Sequence, residues 1–242
     1  MVKIPINEIY KTVTIQGEGK RAGKLCTFIR TNFCNLRCAF KNGDICDTPY
    51  TSHKPEPGRM MEIQEIVEEI LSNIEEYPQL KDIIISGGEP YINNGLPELI
   101  SELKLLGFII TVETNGTMFK TTKADLISIS PKLKTSIPWH LDMESKIHIK
   151  NRVYDQSIKD FENSNSDIQY KFVYTGEEDL EEIKEFINKF NINKQKIWLM
   201  PEGATYESQL NHFKGCMDAC VKEGYNFSPR LHILAYSNKR GI

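Results

Sequence analysis

The sequence lacks a basic region and any long apolar run. Its 30 Lys and Arg residues are outnumbered by 33 Asp and Glu residues, which gives a net charge of −3. Nucleic-acid binders need a positive footprint for the phosphates, so we expect no nucleic-acid partner. No stretch approaches membrane-spanning length, and polar residues rather than a secretory leader follow the N-terminus. We therefore expect a cytoplasmic protein with no membrane contact.

The cysteines do not indicate a disulfide framework. A chain of 242 residues that is 40% hydrophobic can bury one core without covalent cross-links, so we expect a single domain over residues 1–242. Cys34, Cys38 and Cys46 lie in one short segment. A closed zinc site or a fully ligated iron–sulfur cluster needs a fourth ligand, which this segment does not supply as cysteine. The open coordination position indicates catalysis.

Helical and strand-like patterns alternate along the chain. Apolar residues at helical spacing predict helices over 61–77, 96–106, 177–190 and 207–223. Short apolar runs predict strands at 27–30, 82–86, 108–112, 126–130, 170–174 and 197–200. This order predicts an α/β fold of parallel strands covered by helices, preceded by a more irregular N-terminal part at 8–30.

Polar or glycine-rich segments follow five of these strands. They are Arg30 with Cys34, and the segments 86–90, 113–116, 130–132 and 200–203. Ligands collect at the carboxyl ends of strands in βα folds, so we expect these segments to line one face. Glycine and proline after a strand are individually ordinary turn signals, so the prediction depends on the coincidence.

These motifs resemble those of radical S-adenosylmethionine (SAM) enzymes, and within them the 7-carboxy-7-deazaguanine synthase (QueE) family. The resemblance spans nearly the whole chain and depends on segments 16–19, 46–48, 86–90, 113–116, 130–132 and 238–242. It implies an incomplete (β/α) barrel of the radical SAM type. The family usually spaces its cysteines C-x3-C-x2-C, whereas this chain has C-x3-C-x7-C, with an insertion at 39–45.

The resemblance also implies the cofactors. Cys34, Cys38 and Cys46 would hold a [4Fe–4S] cluster whose remaining iron binds SAM, and Thr48 would bind Mg²⁺, which prefers oxygen ligands. In isolation, Thr48 would instead be a turn residue before Pro49. The SAM-binding residues carried over by the resemblance are Gly88, Glu113, Ser130, Pro131, Lys132 and Lys171. For Lys171, an edge-strand lysine that faces water is an equal alternative.

The implied reaction converts 6-carboxy-5,6,7,8-tetrahydropterin, a small molecule, into 7-carboxy-7-deazaguanine by hydrogen abstraction, ring contraction and loss of ammonia. This is a carbon–nitrogen lyase step of queuosine-type biosynthesis. The implied substrate-binding residues are Gln16, Gly17, Glu18, Arg30, Ser86 and Ile242. The Arg30 guanidinium would pair with the substrate carboxylate through two parallel hydrogen bonds. The family further implies a homodimer and an electron donor such as flavodoxin or ferredoxin.

Other interpretations remain open. Another small radical SAM enzyme, such as a glycyl-radical activase, would share the cluster but act on a protein backbone. A zinc or iron–sulfur binding module without activity could use His53 or Asp47 as the fourth ligand. Cys26, Cys216 and Cys220 are expected to pack in the core, the last two on a helix.

Overall fold

A computed structural model describes residues 2–40, 45–237 and 239–241. The strands are β1 (Lys3–Ile9), β2 (Thr14–Ile15), β3 (Leu25–Thr31), β4 (Arg59–Glu62), β5 (Asp82–Gly87), β6 (Ile109–Thr114), β7 (Leu126–Ile129), β8 (Asp167–Tyr174), β9 (Ile197–Pro201) and β10 (Asn226–Phe227). The helices are α1 (Ile63–Asn73), α2 (Leu96–Leu105), α3 (Asp142–Asn151), α4 (Asp155–Glu162), α5 (Glu178–Phe190), α6 (Tyr206–Glu223) and α7 (Leu231–Tyr236). None of these helices is long and apolar enough to cross a membrane.

One sheet organises the described chain. Its strand order is β10-β9-β8-β7-β6-β5-β3-β1-β4, with β2 paired to β3. The run from β3 through β5 to β10 is parallel, whereas β1 pairs antiparallel with both β3 and β4. The two ends of this order, β10 and β4, do not pair with each other among the described residues, so the barrel is open. The predicted incomplete (β/α) barrel is confirmed.

The core follows from the apolar runs of the inner strands. Ile83, Ile84 and Ile85 of β5 are fully buried, as expected for a parallel strand covered on both faces. Helix α1 turns Ile66 and Ile70 onto the sheet, and a capping box between Glu62 and Glu65 satisfies backbone groups at its first turn. The predicted core positions of Cys26, Cys216 and Cys220 are confirmed, because all three side chains are buried.

The sequence-based prediction missed several elements, among them β1, β4, α3 and α4. Strand β2 and the end of β1 lie in the part predicted to be irregular, and Pro5 lies inside β1 although proline usually interrupts a strand. Pro5 contributes through its carbonyl, which accepts from the Asn32 N–H at 2.8 Å. Helix α1 begins at Ile63 rather than at residue 61 because Arg59–Glu62 pairs with β1 instead.

The N-terminus of α6 supports a stability prediction. Thr205 Oγ1 accepts from the Ser208 N–H at 3.1 Å, and the Thr205 N–H donates to Ser208 Oγ at 3.0 Å. Replacing Thr205 with alanine removes this cap, which costs about 0.5–2 kcal/mol and lowers the melting temperature by roughly 1–8 °C. Circular dichroism under anaerobic conditions measures the shift. Thr121→Ala, at an exposed threonine outside any helix, is the control, and an equal shift in both variants would contradict the capping role.

Candidate active site

The carboxyl ends of the parallel strands surround one cavity of about 340 Å³. Thirteen of the residues predicted for the cluster, SAM or substrate line it together with Thr48: Gln16, Gly17, Glu18, Arg30, Cys34, Cys38, Cys46, Ser86, Gly88, Glu113, Ser130, Lys132 and Lys171. Pro131 is buried but does not line this cavity, and Ile242 lies outside the described residues. The strand-end segments therefore meet at one site, as predicted.

The cysteine segment forms one wall of the cavity. Cys34 Sγ accepts from the Leu36 N–H at 3.4 Å and from Asn115 Nδ2 at 3.9 Å, which are the kinds of contact that stabilise cluster sulfurs. Burial raises the pKa of the Cys34 thiol to about 12, and burial also raises the pKa of the Cys38 thiol. Both thiols are therefore protonated at neutral pH without a metal, and metal binding would release their protons.

Close packing holds this wall against the end of β5. The Gly88 N–H donates to Thr31 O at 3.1 Å, and the Glu89 N–H donates to Phe33 O at 2.9 Å. A Cβ atom at Gly88 would lie 1.9 Å from Phe33 O, so only glycine permits this approach. Phe33 itself has a φ of 68°, which places the backbone before Cys34 in the left-handed region. Gly88 thus positions the cysteine segment as well as lining the cavity.

Glu89 connects two neighbouring strand ends. Its side chain is fully buried and accepts from the Tyr91 N–H at 3.0 Å, Thr114 Oγ1 at 2.7 Å and the Asn115 N–H at 2.7 Å. Burial raises the pKa of Glu89, while these hydrogen bonds lower it. The acidic residue of the Gly-Gly-Glu-Pro segment is therefore structural: it fixes Asn115, whose side chain contacts Cys34.

A network of charged groups forms another part of the cavity lining, here called the charged wall. Lys171 Nζ pairs with Glu18 and lies 3.7 Å from Glu113 Oε1. Arg230 Nε donates to Glu18 Oε1 at 3.0 Å, and the same guanidinium pairs with Asp47. Burial tends to raise the pKa of Glu18, but Lys171, Arg230 and His232 outweigh burial and hold that pKa well below its usual range. Glu18 is therefore an ionised hydrogen-bond acceptor at neutral pH.

The position of Lys171 corrects one sequence-based alternative. Lys171 lies inside β8, which runs from Asp167 and has β7 and β9 on its two sides, so it is not on an edge strand. Its side chain is only 6% exposed. The expectation of a water-facing lysine is wrong because β8 begins three residues earlier than the apolar run predicted.

Glu113, predicted to bind SAM, contacts two residues predicted to bind the substrate. Its carboxylate accepts from Ser86 Oγ at 2.8 Å and from Gln16 Nε2 at 3.3 Å, both predicted to bind substrate. The sequence placed Glu113 after the end of a strand, but it is the fifth residue of β6. Glu113 thus lies between the predicted SAM and substrate regions and orients residues of the latter.

Arg30 occupies an aromatic corner of the cavity. Its guanidinium donates to Tyr10 Oη at 3.1 Å and lies about 6 Å from the centroids of the Tyr10 and Phe28 rings. Among the described residues, Arg30 Nε has no hydrogen-bond partner, and Glu8 Oε2 lies 3.8 Å from it. A buried donor without a partner is costly, so an incoming acceptor at this corner would be stabilised.

The SAM-side residues are held by their own contacts. Lys132 Nζ donates to Ser130 Oγ at 2.9 Å, and the Lys132 N–H donates to Tyr154 Oη at 2.8 Å. Thr48 Oγ1 donates to Gly87 O at 3.3 Å and lies 3.5 Å from Cys46 Sγ. Thr48 therefore places a hydroxyl directly beside the cysteine wall.

Sequence reasoning missed several cavity residues. Arg230 and His232 follow β10, a two-residue strand that no pattern predicted, and they reach Glu18 from more than 200 residues away. Tyr10 and Tyr50 lie in parts of the chain predicted to be irregular or left unassigned. A local pattern could not have identified any of them, because their roles depend on contacts made by the whole fold.

The cysteine arrangement fits an iron–sulfur cluster. In the ranges that the structure describes, no three His, Cys, Asp or Glu side chains are grouped as a single metal ion would require. His53, a possible fourth zinc ligand, instead contacts the Cys38 carbonyl at 2.9 Å. Three thiols that line one cavity without converging on a point suit a cluster, which is larger than one ion.

Comparison with known proteins identifies the superfamily. The sequence model of the radical SAM superfamily matches residues 28–135. The chain is 35% identical to a 7-carboxy-7-deazaguanine synthase of Rhodopirellula baltica, over 95% of this chain and 86% of that protein. It is 32% identical to the synthase of the same name from Halobacterium salinarum, over 97% of this chain and 91% of the relative.

The chain belongs to the 7-carboxy-7-deazaguanine synthase family. It is therefore a radical SAM enzyme, and its superfamily implies a [4Fe–4S] cluster and SAM. The crystal structure of QueE from Escherichia coli has the same fold, with a TM-score of 0.67 over 93% of each chain at 22% identity. A structure of TYW1 with a lysine–pyruvate adduct resembles this chain less than QueE does, with a TM-score of 0.52 over 80% of this chain.

The charged wall predicts strong coupling between Lys171 and Glu18. Lys171→Met leaves two buried carboxylates with less compensation and destabilises the protein by about 3–5 kcal/mol. The double variant Lys171→Met/Glu18→Gln recovers part of this loss, because one of the buried charges is then absent. Thermal unfolding of the four proteins of this cycle measures the coupling. Strictly additive effects of the two substitutions would contradict the pairing.

Proposed function

We propose that the chain is a 7-carboxy-7-deazaguanine synthase, a carbon–nitrogen lyase that acts on 6-carboxy-5,6,7,8-tetrahydropterin. The observation that carries the proposal is one cavity lined by three cysteines, by a network of charged side chains and by Arg30, whose Nε has no hydrogen-bond partner among the described residues. Relatives that bear this enzyme name match the chain over nearly its full length. Product formation would serve the synthesis of 7-deazapurines of the queuosine type.

Within this proposal, Cys34, Cys38 and Cys46 hold the cluster. When bound, the cluster and SAM supply a 5′-deoxyadenosyl radical for hydrogen abstraction from the substrate. The SAM residues are Gly88, Glu113, Ser130, Lys132 and Lys171, with Pro131 fixing the course of the chain between Ser130 and Lys132. SAM and substrate that fill this cavity would displace water from the reactive intermediate.

The substrate is bound at the Arg30 corner. The Arg30 guanidinium pairs with the substrate carboxylate, and the Tyr10 and Phe28 rings hold the guanidinium in place. Glu18, kept ionised by its cationic neighbours, accepts hydrogen bonds from the donor-rich pyrimidine edge of the pterin. Gln16, Gly17 and Ser86 complete the pocket, and Ile242 is proposed as a further substrate-binding residue.

A magnesium ion is proposed at Thr48. The Thr48 hydroxyl lines the cavity beside Cys46 and offers one oxygen ligand, and the substrate and water would supply the others. Such a site suits Mg²⁺, which usually keeps several waters. We further propose that the enzyme is a cytoplasmic homodimer and receives electrons from a small carrier protein.

Anaerobic reconstitution tests the reaction. The protein is supplied with iron, sulfide, SAM, Mg²⁺, dithionite and 6-carboxytetrahydropterin, and mass spectrometry follows 7-carboxy-7-deazaguanine and 5′-deoxyadenosine. We expect both products from the complete mixture, and no deazaguanine product from Cys34→Ala or without SAM. Formation of 5′-deoxyadenosine with the pterin unchanged would contradict the proposed substrate.

Arg30 predicts a specific loss of substrate affinity. Arg30→Gln removes the charged partner of the carboxylate, an interaction of about 1.5–3 kcal/mol, so KM for the substrate rises by roughly 10- to 150-fold. Steady-state kinetics with dithionite measures KM and kcat. Arg59→Gln, at an exposed arginine paired with Glu69 outside the cavity, serves as the control. An unchanged KM in Arg30→Gln would remove Arg30 from the substrate site.

A further inference from the structure

The turn formed by residues 34–38, here called the cysteine turn, has an inner and an outer side. Cys34, Leu36 and Cys38 line the cavity, whereas Asn35 and Arg37 do not. Helix α3 contacts the turn through these last two residues, and no residue of α3 lines the cavity. The helix therefore holds the turn from the side that faces away from the cavity.

Asn151, the last residue of α3, holds one peptide group of the cysteine turn. Its Nδ2 donates to Asn35 O at 2.6 Å. The N–H at the other end of the same peptide belongs to Leu36 and donates to Cys34 Sγ at 3.4 Å. This peptide is trans, so its C=O and its N–H point in opposite directions. One rigid, planar group thus connects the Asn151 amide to the Cys34 sulfur.

His148 holds the peptide group that leads into Cys38. Its ring is fully buried, and Nδ1 lies 2.8 Å from Arg37 O and 3.3 Å from Arg37 N. Burial lowers the pKa of His148 to about 4, so the ring is neutral at pH 7 and carries one N–H. The shorter contact is to a carbonyl, which can only accept, and this places the hydrogen on Nδ1. The N–H at the other end of this peptide belongs to Cys38, so His148 fixes its direction.

The other carbonyl groups of the cysteine turn also accept hydrogen bonds. Arg37 Nη1 donates to Cys34 O and to Leu36 O, in both cases at 2.8 Å. The Cys46 N–H donates to Cys38 O at 3.1 Å. Each carbonyl from residue 34 to residue 38 therefore has a donor, and the negative ends of these peptide dipoles are all fixed.

Fixed peptide dipoles beside an iron–sulfur cluster affect its reduction potential. Hydrogen bonds to the sulfurs are among the factors that set this potential. Reduction adds a negative charge to the cluster, which an N–H directed at a cysteine sulfur stabilises and a carbonyl oxygen turned toward it destabilises. The contact from the Leu36 N–H to Cys34 Sγ is of the stabilising kind. Without a donor on its carbonyl, the same peptide is free to rotate and this contact weakens.

We propose that Asn151 and His148 are positioning residues for the iron–sulfur cluster. By holding two carbonyls of the cysteine turn, they orient the attached N–H groups and raise the reduction potential of the cluster. Hydrogen bonds one shell outside the ligands commonly tune a metal centre in this way. The inference rests on the part of the proposed function that assigns the three cysteines to the cluster, and it does not depend on the substrate.

Substitutions on α3 test this role in the reconstituted protein without substrate. Asn151→Ala removes one donor, and His148→Leu removes the other while keeping a side chain of similar size. Ser145→Ala is the control, because Ser145 is buried on the same helix but its hydroxyl contacts Pro138 O and Leu141 O instead of the turn. A redox titration followed by electron paramagnetic resonance measures the midpoint potential of each cluster.

We expect a lower midpoint potential in Asn151→Ala and in His148→Leu, and no change in Ser145→Ala. Release of iron to a chelator is expected to be about 10-fold faster in the first two variants, because they lack a contact of the outer shell. His148→Asn, whose Nδ2 can take the place of Nδ1, is expected to restore most of the wild-type potential.

A lower melting temperature with an unchanged potential would overturn the inference, since both residues would then serve only to pack α3. An equal shift of the potential in Ser145→Ala would overturn it as well. If His148→Leu takes up too little iron for a titration, Asn151→Ala and His148→Asn decide by the same criterion. Wild-type protein that holds the cluster but forms no deazaguanine product would contradict the proposed reaction, while the comparison of potentials would stand.

Discussion

The contacts of the buried Glu18 carboxylate connect the parts of the chain that form the site. Glu18 belongs to the N-terminal loop, Lys171 to an inner strand, and Arg230 to the segment after the last strand. Through Asp47, the same Arg230 reaches the residue that follows Cys46. A desolvated carboxylate is tolerated only when it is paired, so the three segments must assemble together for any of them to be stable. The charged wall thus connects three distant segments of the chain and also lines the cavity.

The wall of the cavity that the cysteine segment forms depends on steric fit rather than on charge. The Gly88 backbone contacts the chain just before Cys34, and Glu89 ties the next strand end to the same place. A side chain at position 88 would push the cysteine turn away from β5. The sequence segment that is typical of the superfamily therefore has a structural explanation in this chain, apart from any contact with SAM. Packing positions the cysteine wall and ion pairing positions the charged wall, and both walls line the cavity.

The sequence predicted the parts of this arrangement that have a local signal. Apolar runs such as 82–86 and 126–130 identified the inner strands, and the strand-end rule brought Ser86, Glu113 and Ser130 to one face. The sequence-based prediction failed where the role of a residue depends on contacts with distant parts of the chain. Strand β1 was not predicted, since Pro5 interrupts its apolar pattern. Strand β8 was predicted to begin three residues too late, which left the burial of Lys171 undecided. No local pattern indicated that Arg230 belongs to the site, because its role depends on the carboxylate of Glu18, 212 positions away. Periodicity reports which residues face the core, but not which charges meet inside it.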